Sequence, residues 1–431
     1  MSIPIKIYCP DNTSRHRFIF KLIFNELLGI KFTFCDNANS SLLNYSHEPS
    51  SSISCTPQGL LLESDVKDIP IQIKKWEQTH CFFKTSDNEL PFDLFSAAFY
   101  LVSRYEEYLN YDPDEHNRFP ARFSILAQHN LLEEPLVNQW ALKLKDILLT
   151  KDWSIKFSPR KFEYKSTIDI DQAWKFKNKG SYRNITGTAR DLIKGKWENL
   201  ADRWPVLLGS KEDPFYNFDW QATIHKKLSI ATQYFVLLGT HGEYDKNIKS
   251  SNQAFQNLIK KLDKLDKTSV GIHPSYKSNS NNQLVETEIQ KLQKILDRPI
   301  TSSRQHFLMH KMPGTYSNLI ENGVFEDHTM GYSTHLGFRA GIAAPFNWFD
   351  LSSNKETELR LYPFCAMDIT PLHYRGETPK QAIESLKTLM EKVQNVGGLF
   401  ISLWHNESFS ETERWKGWRK VYESLLEMSK L

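Results

Sequence analysis

The sequence predicts an α/β fold: a parallel sheet or barrel of seven or eight strands, preceded by a smaller α/β domain. Three observations predict it. Six short apolar runs each end in a residue able to bind a metal or move a proton: Tyr164–Asp171, Ser269–His273, Ser302–His306, Gly323–Asp327, Phe364–Asp368 and Leu399–His405. Segments of helical period separate most of them, and strand–helix alternation builds parallel sheets or barrels. The 431 residues suffice for two domains, or for one large barrel plus an extra unit. In such folds the strand C-termini gather at one face, where chemistry collects.

Taken in order, residues 1–158 form the first unit. Ile3–Tyr8 reads as a strand and Arg15–Leu28 as a helix stopped by Gly29, with a second strand at Ile30–Cys35. The Ser- and Asn-rich stretch 37–54 reads as loop. Helical spacing covers Phe92–Leu109 and Pro135–Leu149, and Glu106 and Glu107 read as a solvated carboxylate face. In the second unit, 159–431, the expected strands are Tyr164–Ile170, Thr232–Leu238, Ser269–His273, Thr301–Phe307, Gly323–Asp327, Phe338–Ala340, Leu359–Met367 and Gly398–Leu403. The expected helices are Trp220–Leu228, Asn252–Leu265, Asn282–Leu296, Thr315–Glu321, Pro379–Val396 and Glu411–Met428. The long basic stretch from Asp171 to Trp220 reads as an insertion near the active face.

Bulk composition narrows the function. A formal charge of only +3 demands no nucleic-acid partner. No apolar stretch approaches the roughly 20 residues that span a bilayer. The N-terminus lacks the basic start and cleavage site of a secretory signal. The five cysteines are odd in number and scattered, with no C-x-x-C pair, which argues against a Cys-rich zinc site and for a cytoplasmic location. The fingerprints of phosphate loops, dinucleotide folds, nucleophile elbows and helical His-Glu-x-x-His zinc sites are missing.

The chemistry-bearing residues sit at strand ends. Asp169 and Asp171 lie two apart on a strand and so face the same side, where two carboxylates call for a cation or a proton. One can ligate a metal while the other takes a proton from water. Pro274 fixes the turn after His273. Arg304 and His306 share one side of their strand, the imidazole being a metal ligand and the guanidinium a bidentate partner for a carboxylate. Lys311–Gly314 breaks any helix there, so His310 falls in the following loop. Asp327 and Asp368 end later strands and can hold Arg304, Arg339 or a histidine in place. His405 ends the last strand as a candidate general acid, next to Trp404, which serves equally as packing.

This ordered set resembles the polysaccharide deacetylases of the NodB-homology type, metal-dependent carbohydrate esterases with a distorted (β/α) barrel. It looks closer still to two-part bacterial proteins in which an uncharacterised α/β domain precedes that barrel. The stretches Asp213–Trp220, Tyr234–Gly239 and Tyr244–Asn247 support the likeness, which covers about residues 160–431. The resemblance implies Asp169 as base and Asp171 as metal ligand, with Ile170 between them where the family has adjacent aspartates. The family's second motif has two histidines four apart before a proline; here His273 precedes Pro274, but position 269 is Ser and 277 is Lys. Arg304 matches the third motif, and His306 would replace the lost ligand. Asp327 stands for the aspartate that steadies the arginine, and Leu403-Trp404-His405 matches the last motif.

The implied function is metal-dependent N-deacetylation of an N-acetylated sugar in a polysaccharide or its precursor. The implied cofactor is a divalent metal, zinc by preference. Asp169 and His405 would move protons, Arg304 would orient, Asp171, His273 and His306 would ligate, and backbone donors near Ser275 or Tyr276 would steady the oxyanion. The rival readings are a non-catalytic glycan-binding protein on a degenerate barrel, and a metal hydrolase acting on a non-sugar amide or ester. The sequence leaves the oligomeric state open.

Overall fold

Buried Ile5 and Ile7 flank exposed Lys6, the two-residue alternation that makes β1 (Ile5–Tyr8) a strand with one face inward. The computed structural model describes residues 4–430, so Ile3, expected to open this strand, lies outside the described residues. β1 pairs in parallel with β2 (Phe32–Cys35) on one side and β3 (Leu43–Asn44) on the other, and β4 (Ile53–Ser54) extends the sheet. The stretch expected as loop thus carries two short strands, because Leu43 and Ile53 bury themselves among its serines. A small antiparallel pair follows, β5 (Lys74–Trp76) with β6 (Thr79–Cys81). The helix Leu94–Val102 is buried along its whole length and forms the centre of this unit.

A nine-stranded sheet makes up the rest of the frame. Its strands are β7 (Glu163–Ile170), β8 (Ala231–Leu237), β9 (Thr268–His273), β10 (Ser302–Ser303), β11 (Glu326–Asp327), β12 (Phe346–Asp350), β13 (Lys355–Leu361), β14 (Ala366–Met367) and β15 (Leu399–His405). Their spatial order is β12-β13-β11-β10-β9-β8-β7-β15-β14, parallel except for the β12–β13 hairpin. No strand pairing joins β12 to β14 among the described residues, so the ladder is open rather than a closed ring. Helices connect the parallel strands. In Gln253–Asp263, Asn252 caps the first turn by accepting from the Phe255 amide at 3.0 Å, and Phe255, Leu258, Ile259 and Leu262 form the buried stripe. Pro379–Asn395 begins with a Thr378/Gln381 capping box.

Several expected elements differ. Phe338–Ala340 is not a strand: it is a buried turn between Gly337 and Gly341, both at positive φ, and the Phe338 amide donates to Leu132 O at 2.6 Å. A Cβ at Gly337 would stand 2.1 Å from that carbonyl, so only glycine admits the approach. The expected strand Thr301–Phe307 shrinks to β10, because the chain turns at Phe307 and Leu308, both at positive φ. Leu359–Met367 splits between β13 and β14, and β12 was not expected. The last helix starts at Trp418, since Gly417 in the left-handed region breaks the preceding turn. The 171–220 insertion is two helices, Ser181–Ile193 and Trp197–Leu207.

Glu106 and Glu107 are buried, not solvated. Arg104 adopts φ 54° and ends the helical run, so the next turn swings both carboxylates inward. Arg104 Nε and Arg339 Nε both donate to Glu107 Oε1, at 2.7 and 2.8 Å, and Arg339 Nη2 reaches Oε2 at 2.7 Å. Burial opposes the Glu107 charge, but the Arg339 and Arg104 guanidiniums overcome it and hold the carboxyl well below the usual range. This cluster ties the first 158 residues to the turn at 338–341. The crossing segment itself is pinned: the Ser158 and Arg160 amides donate to Leu28 O and Leu27 O at 3.0 and 3.3 Å. A Cβ at Gly29 would lie 1.9 Å from Ser158 O, and one at Gly397 2.1 Å from Arg160 O.

Candidate metal centre

Three strand ends bring three donors together. Asp171 follows β7, His273 closes β9, and His306 lies just beyond β10. One ligand atom from each falls within 4.8 Å of the others. His273 Nε2 is 3.3 Å from Asp171 Oδ1, and His306 Nε2 is 3.4 Å from Asp171 Oδ2. Donors about 2.0–2.1 Å from a tetrahedral zinc stand about 3.3–3.4 Å apart, which each imidazole–carboxylate distance matches through its own Asp171 oxygen. Gly271 helps set it: a Cβ there would lie 2.5 Å from Ser302 Oγ, so β9 and β10 approach only because it has none.

The other ring nitrogens are engaged. His273 Nδ1 lies 2.5 Å from Arg304 O, which accepts only from an N–H and so turns Nε2 toward Asp171. His306 Nδ1 lies 2.8 Å from Asp245 Oδ1, a carboxylate that also accepts from the Tyr276 amide at 3.0 Å. Burial lowers the His306 pKa, but the Asp171 and Asp245 carboxylates outweigh it and raise it to about 9. Burial likewise opposes charge on Asp171, yet His306 and His273 hold its carboxyl well below the ordinary range. Asp171 Oδ1 is buried and makes no hydrogen bond. A buried carboxylate oxygen without a donor, facing an imidazole edge, is what a cation would satisfy.

Beside these donors stand two oriented pairs. Arg304 is fully buried: Nη1 donates to Asp169 Oδ1 at 2.9 Å, Nη2 to Thr167 Oγ1 at 2.7 Å and Nε to His328 O at 2.9 Å. Asp169 Oδ2 stays on the cavity side, 3.6 Å from His273 Nε2. Across the cleft, His405 Nδ1 lies 3.1 Å from Asp368 Oδ1, and Nε2 lies 4.0 Å from Asp171 Oδ2. Asp368 also accepts from the His405 amide and from Ser408 Oγ. Burial would lower the His405 pKa, but Asp368 raises it to about 10, so the ring is protonated at neutral pH. Asp169, Asp171, His273, His306 and His405 line one cavity of about 290 Å³.

A family described as one of unknown function (DUF7033) matches residues 5–153. No curated protein matches the chain. Among solved structures, it is similar to a protein assigned as a polysaccharide deacetylase from Mycobacterium smegmatis, at 12% identity over 62% of this chain and 84% of that one, with a TM-score of 0.39. It is also similar to a polysaccharide deacetylase from Bacillus cereus, at 11% identity over 62% and 87%, with a TM-score of 0.28. Likeness at this level fixes neither fold nor activity, and the site's own chemistry has to carry the function.

Other expected site residues lie differently. The Ser275 amide donates to Glu288 Oε2 at 2.8 Å and the Tyr276 amide to Asp245, so neither is free to meet an oxyanion. Arg339 belongs to the Glu107 cluster, not to the centre. Asp327 makes no hydrogen bond to Arg304; it accepts from Ser303 Oγ, the Thr329 amide and Thr329 Oγ1, and so shapes the turn whose His328 carbonyl meets Arg304 Nε. Trp404 packs in the core against Phe409 and Tyr422, on the opposite face of β15 from His405. His310 lies in a loop, as expected, but is buried against Tyr316.

Two contributions escaped the sequence. Asp245 lies within Tyr244–Asn247, a stretch that supports the likeness, but in an irregular loop, where spacing assigns it no role. The first unit also reaches the cleft: Glu115, His116 and Arg118 line the cavity. Asp114 clasps Arg118, whose Nη1 donates to Phe307 O at 2.7 Å. His116 Nδ1 approaches Tyr276 Oη at 3.2 Å and packs among Tyr244, Tyr276 and Phe307.

Proposed function

We propose that the protein is a metal-dependent hydrolase that removes acetyl groups from an N-acetylated sugar of a polysaccharide or its precursor. One observation carries this: the Asp171–His273–His306 donor set lies in the same cavity as a carboxylate oriented by arginine and an imidazolium held by a carboxylate. A divalent cation, by preference zinc, held by those three residues would polarise the acetamide carbonyl and acidify water.

The chain's own groups do the rest. Arg304 occupies Asp169 Oδ1 and leaves Oδ2 to take the proton of the attacking water. His405, whose charged form the Asp368 carboxylate favours, gives its proton to the departing amine as the C–N bond breaks. The tight links from His273 to Arg304 O and from His306 to Asp245 keep both imidazoles aimed without reorganisation. Phe307 and His116, which line the cavity with Tyr244 and Tyr276 packed behind them, offer aromatic surface to a sugar ring. All five cysteines are unpaired, which supports a reducing, cytoplasmic setting.

The test is acetate release from N-acetylhexosamine oligomers by zinc-loaded protein. Chelation should abolish it, and Asp169→Asn should lower it by about 10²–10⁴-fold with metal content unchanged. Turnover unaffected by Asp169→Asn would refute the assignment. Saccharide binding that survives chelation, with no acetate released, would leave a glycan-binding protein instead.

A further inference from the structure

The helical pair Ser181–Ile193 and Trp197–Leu207 is built inside out. Apart from Val206, its buried side chains are polar: Asn184, Asp191, Asn199, Asp202 and Arg203. Arg203 Nη2 donates to Asp191 Oδ2 at 2.5 Å and Nη1 to Asn184 Oδ1 at 3.1 Å, and the guanidinium stacks on Phe176. Gly187 makes room for it, since a Cβ there would lie 2.9 Å from Arg203 Nη1. The outward residues are apolar. Tyr182 is 80% exposed, Ile193 85%, Trp197 68% and Leu208 81%, with Ile185, Leu192 and Trp204 beside them. Spacings of three and seven among Tyr182, Ile185 and Leu192, and of seven and four among Trp197, Trp204 and Leu208, put them on one face of each helix. A surface helix in water shows the reverse arrangement, and a contiguous exposed apolar face marks an interaction site.

Charge identifies what covers it. Residues 175–211 hold nine Lys or Arg against three Asp or Glu, a net of +6, while the whole chain carries only +3. Arg190, Lys194 and Lys196 are exposed around the turn between the helices, next to Leu192, Ile193 and Trp197. Exposed Trp, Tyr and aliphatic side chains interleaved with Lys and Arg fit the interface of an anionic bilayer, where apolar groups enter the acyl boundary and cations meet head groups. No helix among the described residues is long and apolar enough to cross a membrane, so any contact of the pair with a bilayer would be with its surface.

We propose that this helical pair docks the protein on an anionic lipid surface. The docking stands apart from the hydrolysis. If the deacetylase reading holds as well, a further consequence rests on it: Glu198 pairs with Lys416 at 3.4 Å, beside the Arg414 and Trp415 that line the cleft, so a docked molecule presents its cavity to saccharides borne on lipid.

The experiment is co-sedimentation of the full-length protein with phosphatidylcholine vesicles, with and without phosphatidylglycerol. Binding to the mixed vesicles, weakened by salt, is expected. Ile193→Asp combined with Trp197→Asp should lower partitioning about tenfold or more. Lys194→Glu with Lys196→Glu should remove the preference for phosphatidylglycerol. All four positions are exposed, so acetate release from soluble oligomers should stay unchanged in both variants, which separates loss of docking from loss of the site. Failure to sediment with the mixed vesicles, or undiminished binding by the Ile193/Trp197 variant, would overturn the proposal. So would a soluble dimer that this variant dissolves, since the face would then belong to a second copy.

Discussion

Asp245→Asn isolates the contribution of a residue that touches no substrate. In the metal-free protein His306 titrates at about 9, so at pH 7 a proton occupies the ring about two units below its pKa. Metal must displace that proton, which lowers apparent affinity by on the order of 100-fold. Asp245 acts on both sides of this competition. Its carboxylate, 2.8 Å from Nδ1, makes Nε2 a stronger ligand and also a stronger base. Removing the charge should cost intrinsic affinity of about 10–100-fold, as loss of such a partner does elsewhere. It should also lower the His306 pKa and relieve the proton handicap. The two effects oppose each other at pH 7 and separate at pH 9.5, where little proton remains to displace. Chelator-buffered zinc titrations across pH 6.5–9.5 should therefore show the larger loss at the alkaline end and a shallower slope below pH 9. An equal affinity deficit at every pH, or a larger one at pH 7, would refute this account of Asp245.

Three further outcomes follow from the same geometry. Asp368→Ala removes the group that raises His405 to about 10, so the alkaline limb of the pH–rate profile should move to lower pH; a limb that stays in place would remove His405 as the acid. Glu107→Gln leaves Arg339 buried without a carboxylate and should cost about 3–5 kcal/mol in urea unfolding, with zinc stoichiometry unchanged; a cost below about 1 kcal/mol would mean water reaches the cluster. In the metal-free protein His306 and His405 titrate above the ordinary 6.5, so their stabilisation is fully present below that pH and is lost as pH rises through about 9 and about 10. Thermal melts should accordingly fall across that window, and bound zinc should flatten the His306 part; melts flat without metal would contradict the raised values.

The long parallel strands were readable because apolar runs of five to eight residues end abruptly in a polar residue or a glycine. That pattern marked β7, β8, β9 and β15, and with them the placement of Asp169, His273 and His405. It failed where pairing is brief. β10 and β11 hold two residues each, set by neighbours rather than by any run of their own, so Arg304 and His306 were assigned to a strand they outlast. Ser275 and Tyr276 looked free because Glu288 and Asp245, which take their amides, lie far along the chain. Glu107 looked solvated because helical spacing shows nothing of Arg104 turning at positive φ. The inverted helices escaped for a similar reason: periodicity reports that a face is apolar, not which way it points.

The threading of 158–161 between Gly29 and Gly397 bears on motion. A crossing held by backbone bonds on one side and by glycine-only clearance on the other offers no hinge, so the halves cannot swing apart like the jaws of a clamp. The loop around His116, which lines the cleft, is tethered separately by the bond from Arg118 to Phe307 O. Any molecule that reaches the cavity meets this small tethered loop and not a gap between moving halves.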